Sequence, residues 1–133
     1  MQVFADTSFF QAWSTRSDQW HTSATQLAGR LDAAIVTTDY ILLELGALMS
    51  RGRARSMFVD FVANARTDVN VEIIPASSEL LNSGFALFAA RPDKEWSLTD
   101  CISFVVMRRR GIQEALTSDH HFEQAGFRVL LNR

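Results

Sequence analysis

Val3-Phe4-Ala5-Asp6-Thr7-Ser8 begins with a short apolar run, places a carboxylate directly behind it, and follows with two hydroxyl residues suited to starting a helix. A similar order returns near the other end. There Ala115-Leu116-Thr117 leads into Ser118-Asp119 and a short helical stretch from His120 to Ala125. Three more β-like runs lie at Ala34-Ile35-Val36-Thr37, Val71-Glu72-Ile73-Ile74 and Arg128-Val129-Leu130-Leu131. Between the runs, apolar residues recur at helical spacing: Trp20, Leu27 and Leu31; Ile41, Leu45, Leu48 and Met49; Met57, Phe58, Phe61 and Val62; and Leu80, Leu81, Gly84, Phe85 and Phe88. Ser97 to Arg110 reads as a buried helix ended by Gly111. Strands that alternate with helices predict a parallel sheet, and right-handed crossovers cover both of its faces. The expected fold is therefore α/β, a three-layer α/β/α sandwich around a central parallel sheet of about five strands.

The chain has 133 residues, 47% of them hydrophobic and 21% charged, enough for one compact core and too few for a two-domain enzyme. No linker, repeat or low-complexity tract divides it, so a single domain over 1–133 is expected. Cys101 has no second cysteine to pair with, and the first six residues lack a basic start and a long apolar stretch. Both features point to a reducing cytoplasm. The longest nearly apolar run, Cys101 to Met107, is far shorter than the roughly 20 residues that span a bilayer, so no membrane role is expected. A net charge of −2 argues against nucleic-acid binding by bulk charge alone. It leaves open a site where bound cations meet phosphates.

In open α/β sheets, ligands bind beyond the carboxyl ends of the strands, and the acids of this sequence fall there. Asp6 directly follows the first run and Asp119 follows the fourth after Ser118. Glu44 borders the apolar stripe of its helix, and Asp100 sits in the first turn of the buried helix. Lys94 is the only lysine, and Arg51 is the only arginine at helical spacing from Glu44. Clustered carboxylates without a protein cation repel one another or take up protons, whereas Mg²⁺ or Mn²⁺ prefers oxygen ligands and retains water for chemistry. Each acid also has an ordinary reading. Asp6, Asp100 and Asp119 stand where helix caps stand, with Ser97-Leu98-Thr99-Asp100 shaped as a capping box, and Glu44 fits a surface carboxylate. Only their joint placement on one rim favours a shared site.

With these residues in view, the chain resembles PIN-domain proteins, specifically the short VapC-type ribonuclease toxins, over nearly its whole length. Val3-Phe4-Ala5-Asp6-Thr7-Ser8 resembles the strand ending in Asp-Thr/Ser-Ser, and Thr38 to Glu44 resembles the segment with a helix glutamate. Trp96-Ser97-Leu98-Thr99-Asp100-Cys101 resembles the Ser-Leu-x-Asp helix start, and Leu116 to Phe127 resembles the closing Thr-x-Asp-x-His-Phe-x-x-x-Gly segment. The resemblance implies a PIN-like fold and a metal-dependent endoribonuclease in which Asp6, Glu44, Asp100 and Asp119 bind Mg²⁺ or Mn²⁺ at the catalytic centre. Thr7, Ser8, Ser97 and Thr99 are expected either to orient those carboxylates or merely to cap helices. The resemblance further implies an RNA substrate, a cognate antitoxin and a homodimer. The helix carrying Met57, Phe58, Phe61 and Val62 is a candidate interface or ordinary core.

The remaining polar and aromatic residues carry weaker expectations. His21, His120 and His121 lack the spacing of a zinc site and are not expected to be ligands. Arg51, Arg53 and Arg55, and likewise Arg108 to Arg110, are read first as solvated faces and second as phosphate contacts. Trp13, Trp20 and Trp96 are read as core before base stacking. Two competing functions remain. A phosphoreceiver domain expects adjacent acids after one strand and a strand-end lysine, neither of which occurs here. A non-catalytic PIN-like binding module expects eroded acids, and these are intact.

Overall fold

The computed structural model describes residues 1–30 and 32–131. Five strands form one sheet: β1 (Gln2–Ala5), β2 (Ala34–Thr38), β3 (Val71–Ile74), β4 (Glu114–Leu116) and β5 (Arg128–Val129). Their order is β3-β2-β1-β4-β5 and every pairing is parallel. Seven helices connect them: α1 (Thr7–Ser14), α2 (His21–Arg30), α3 (Asp39–Leu48), α4 (Gly52–Thr67), α5 (Ser78–Ala90), α6 (Leu98–Arg110) and α7 (His120–Gln124). The expected α/β/α sandwich of five parallel strands is the architecture found. Leu31, expected on the second helix, lies outside the described residues.

β1 is central because its residues bury on both faces. Val3, Phe4 and Ala5 are all fully buried, and alternation sends Phe4 to one side and its neighbours to the other. Phe4 meets Phe122 of α7 at 6.4 Å, and Phe122 stands edge-on to Phe104 of α6 at 5.0 Å. In the other layer α1 packs against α2 and α3, and its Phe10 meets Phe61 of α4 at 4.9 Å. The two α4 aromatics Phe58 and Phe61 are half-buried against the core while Met57 is exposed, so that helix is partly packed along its length.

α6 has a sharp start and stop. The Ser97 side chain accepts from the Asp100 N–H while the Asp100 carboxylate accepts from the Ser97 N–H, and Gly111 ends the helix at φ 66°. α5 lies close against it at Gly84, where an added Cβ would collide with the Ile102 side chain and come within 3.1 Å of its Cα. A side chain there would displace Ile102 and press on the α6 backbone, so glycine permits the close approach of the two helices.

The strand order matters for the site. From β1 the chain moves outward through β2 to β3, then returns to the opposite side of β1 for β4 and β5. The reversal opens a crevice beyond the carboxyl ends of β1 and β4.

Candidate metal centre

Asp6 and Asp119 reach that crevice from the strands. Asp6 follows β1 and its N–H donates to the Leu116 carbonyl at 3.1 Å, continuing the β1–β4 ladder by one residue. Asp119 follows β4 and caps α7, accepting from the His121 N–H at 2.9 Å. Glu44 comes from the middle of α3 and Asp100 from the first turn of α6. All four line one open groove of about 340 Å³ together with Thr7, Ser8, Gln11, Leu48, Glu95, Ser97 and His121. Among the described residues, no lysine or arginine lines it.

The ordinary readings fare differently from acid to acid. Asp6 occupies the N-cap position of α1, yet its side chain makes no capping hydrogen bond. Instead its Oδ2 accepts from the buried Thr117 hydroxyl at 2.9 Å and from the Ser8 hydroxyl at a longer 3.3 Å. Thr117 in turn accepts from the Asp119 N–H at 3.0 Å and lies 2.9 Å from the Ser8 hydroxyl, which accepts from the Ser118 N–H at 3.2 Å. These donors and acceptors close into one network that fixes Asp6 against the β4 end. Glu44 is half-buried, and its Oε1 accepts from the Thr7 hydroxyl at 2.6 Å. Asp100 does cap its helix, but through Oδ2 alone, and the same atom lies 3.1 Å from His121 Nδ1. Among the described residues the second oxygens of Glu44, Asp100 and Asp119 have no hydrogen-bond partner. Hydrogen bonding within the protein therefore leaves one oxygen of each of these three carboxylates for the groove.

Burial pushes the Asp6 carboxyl up to about 7, opposed by the Thr117 hydrogen bond and reinforced by the charges of Asp100 and Asp119. Asp100 is also raised, first by burial and then by Asp119, against the hydrogen bonds from Ser97 and His121. Like charges in a partly dry groove with no protein cation are the electrostatic condition that a divalent ion relieves. The donors are carboxylate oxygens, the set that hard Mg²⁺ or Mn²⁺ prefers, so the residues fit such an ion.

Sequence reasoning misses two participants. In sequence Thr117 reads only as the end of a strand, although it is the direct donor to Asp6. The spacing argument sets His121 aside, but its Nδ1 lies between Asp100 Oδ2 at 3.1 Å and Asp119 Oδ1 at 3.4 Å. Asp119, His120 and His121 each present a ligand atom within 4.8 Å of one another, with His120 the exposed member. The signal that could have found His121 is positional: it is the second residue of a helix capped by a groove acid, so it faces that acid. Of the four hydroxyls expected either to orient the acids or to cap helices, those of Thr7 and Ser8 donate to carboxylates, whereas that of Ser97 caps α6 by accepting from the Asp100 N–H. Thr99 makes no side-chain hydrogen bond among the described residues. Trp96 is buried, its Nε1 donating to Gln124 Oε1 at 3.0 Å, and is therefore core.

The family model for the PIN domain matches residues 3–128, the span that holds all four acids and nearly all of the sheet. This chain belongs to the PIN-domain family. It is 30% identical over 125 residues to the 23S rRNA-specific endonuclease VapC20 of Mycobacterium tuberculosis, in each of two strains, covering 94% of this chain and 95% of the relative. Among solved structures it is similar to Mycobacterium tuberculosis VapC20, described as a Sarcin-Ricin loop cleaving toxin, with a TM-score of 0.84 and 29% identity over 94% of this chain and 95% of that one. The likeness covers nearly the full length of both chains. No helix among the described residues is long and apolar enough to cross a membrane.

Proposed function

We propose that this PIN-domain protein is a divalent-metal-dependent endoribonuclease, the VapC-type toxin of a toxin–antitoxin pair, acting in the cytoplasm as a homodimer. The observation that carries the reading is the convergence of Asp6, Glu44, Asp100 and Asp119 on one groove whose described lining offers no lysine or arginine to offset them. Similarity to an RNA endonuclease over nearly the full chain supports RNA as the substrate class and a cognate antitoxin as the partner.

In this reading the four acids hold Mg²⁺ or Mn²⁺, which supplies polarisation of the scissile phosphate and a lowered pKa for an attacking water. The protein does the positioning. Thr117 and Ser8 orient Asp6, Thr7 orients Glu44, and His121 sits between Asp100 and Asp119. Because the orienting bonds are made without the ion, the carboxylates need little rearrangement to bind it. Leaving one oxygen of Glu44, Asp100 and Asp119 without a protein partner gives the ion anionic ligands from three elements.

The test is RNA cleavage with and without Mn²⁺, and with Asp6→Asn and Asp100→Asn. The expected result is metal-dependent cleavage abolished by either substitution, with the far-UV circular dichroism retained. Cleavage that survives both substitutions removes this centre, and a correctly folded wild type that binds but never cuts RNA leaves the binding-module reading in its place.

A further inference from the structure

Arg51, Arg53 and Arg55 crowd the start of α4, and their placement runs against local helix electrostatics. The first turn of a helix carries partial positive charge and favours acids, yet α4 has no acidic residue there and no side-chain cap from Arg51. The other arginine run is arranged the opposite way. Arg108, Arg109 and Arg110 close α6 at its favourable C-terminal end; Arg109 pairs with Glu79 at 2.6 Å and Arg110 with Glu72 at 2.5 Å, while Arg108 lies over the Phe127 ring and donates to the Ala125 carbonyl. Arg91 and Arg128 also reach carboxylates. Among the described residues Arg51 and Arg53 have no carboxylate partner, and Arg55 donates only to the Ser50 carbonyl, at 3.1 Å. Arg51, Arg53 and Arg55 are all exposed.

This corner adjoins the groove. Glu44 and Leu48, one turn apart on α3, both line it, and the chain turns at Met49–Ser50 straight into Arg51. Three Cα steps separate Leu48 from Arg51, which at 3.8 Å per step is a span of at most about 11 Å. That is close enough for an arginine side chain to meet a phosphate flanking the strand segment in the groove. The groove itself is acidic, so an RNA strand entering it needs positive charge beside the acids to hold the flanking phosphates.

We propose that Arg51, Arg53 and Arg55, with the uncapped N–H groups of α4, bind the phosphates of the RNA strand on the α3 side of the groove. The inference rests on the endoribonuclease reading. Each guanidinium offers several donors to phosphate oxygens, and the helix start adds its own field in the same direction. The local repulsion among the three is relieved when the polyanion docks. The corner fixes where the strand lies and leaves the chemistry to the acids.

The test compares wild type with the triple variant Arg51→Gln, Arg53→Gln, Arg55→Gln, a triple Lys version, and the pair Arg109→Gln, Arg110→Gln. A fluorescein-labelled single-stranded RNA is titrated in EDTA across a salt series, and cleavage is then followed separately in Mn²⁺. The Gln triple is expected to lose tenfold or more in RNA affinity and to flatten the slope of log affinity against log salt by about 2, at about 0.7 per phosphate contact. The Lys triple keeps most of that slope, the Arg109 and Arg110 pair keeps all of it, and Mn²⁺ binding by calorimetry is the same throughout. In Mn²⁺, KM rises while kcat stays within about twofold. If wild type cleaves RNA but the Gln triple binds it within twofold of wild type with an unchanged slope, the corner is not an RNA contact and the proposal is overturned while the nuclease reading stands. If wild type neither binds nor cleaves RNA, both fall. Loss of binding to an acidic protein partner with RNA binding intact also overturns it.

Discussion

Asp6 and Asp100 in the groove carry the same functional group as Glu72, Glu79 and Asp93 elsewhere, in opposite electrostatic surroundings. Burial raises the groove acids, Asp6 to about 7, whereas Arg109 with Ser83 holds Glu79 down at about 2, Arg91 holds Asp93 at about 2, and Arg110 lowers Glu72. Helix α6 keeps the two populations apart. Asp100 lies in its first turn and Arg109 nine residues later, about 14 Å along the axis at 1.5 Å per residue. Both placements suit the helix dipole, acid at the start and base at the end. Arg91, Arg109 and Arg110 are committed to these outer acids and, among the described residues, none lines the groove, which keeps an unrelieved demand for a cation.

The largest test of this contrast is Asp6→Asn. In the folded protein the carboxyl titrates near 7 against an ordinary value of 3.8, so the native state holds that proton more tightly than the unfolded chain does. Metal-free stability is therefore fully supported at low pH and declines as pH rises from about 4 to about 7. By pH 8 the loss is on the order of 4 kcal/mol, taking about 1.4 kcal/mol for each tenfold difference in proton affinity. Asparagine removes the charge and can still accept from Thr117. The variant is expected to melt higher than wild type in EDTA at pH 8, with a flatter pH profile, and to lose Mn²⁺ binding by calorimetry. A lower melting temperature than wild type at pH 8 would refute the idea that the buried charge is costly.

Thr117→Val should act more gently. It preserves shape but withdraws the donor from Asp6 Oδ2, and loss of such an orienting bond commonly reduces metal affinity about 10- to 100-fold. The fall in metal-free stability with pH should also continue to higher pH, since a bond that favours the charged form is gone. Calorimetric Mn²⁺ affinity equal to wild type would mean that Ser8 alone positions Asp6. The smallest effect is expected for Glu79→Gln, whose ion pair with Arg109 is exposed to solvent and salt. Mn²⁺ affinity and cleavage should be unchanged, and the melting temperature nearly so. A marked loss of metal binding there would show that the outer arginines and the groove are coupled.

Much of this contrast is legible in the sequence. Strand positions read from short apolar runs agree with the structure to within one or two residues, and the Ser97 start and Gly111 stop of α6 are where side-chain chemistry requires them. All four acids line the groove they are expected to share. Helix α1 is less legible. Thr7 and Ser8 read equally as a cap or as donors to the acids, and the burial of Phe9, Phe10 and Ala12 depends on α2, α3 and α4 arriving to cover them. Thr117 and His121 escape for a related reason. Nothing near Thr117 in sequence identifies its partner, because Asp6 is 111 residues away, and His121 gains its role from Asp100, 21 residues earlier on another helix.

The sequence by itself determined the alternation of strands and helices, the caps, and the attachment of acids to strand ends and helix starts, because these depend on neighbours a few residues apart. Tertiary structure alone decided that β1 and β4 lie side by side, so that Asp6 and Asp119 meet, and that Thr117 and His121 hold the acids in place. Strand order is a long-range choice made by the packing of whole layers, and the same packing decided which arginines found a carboxylate.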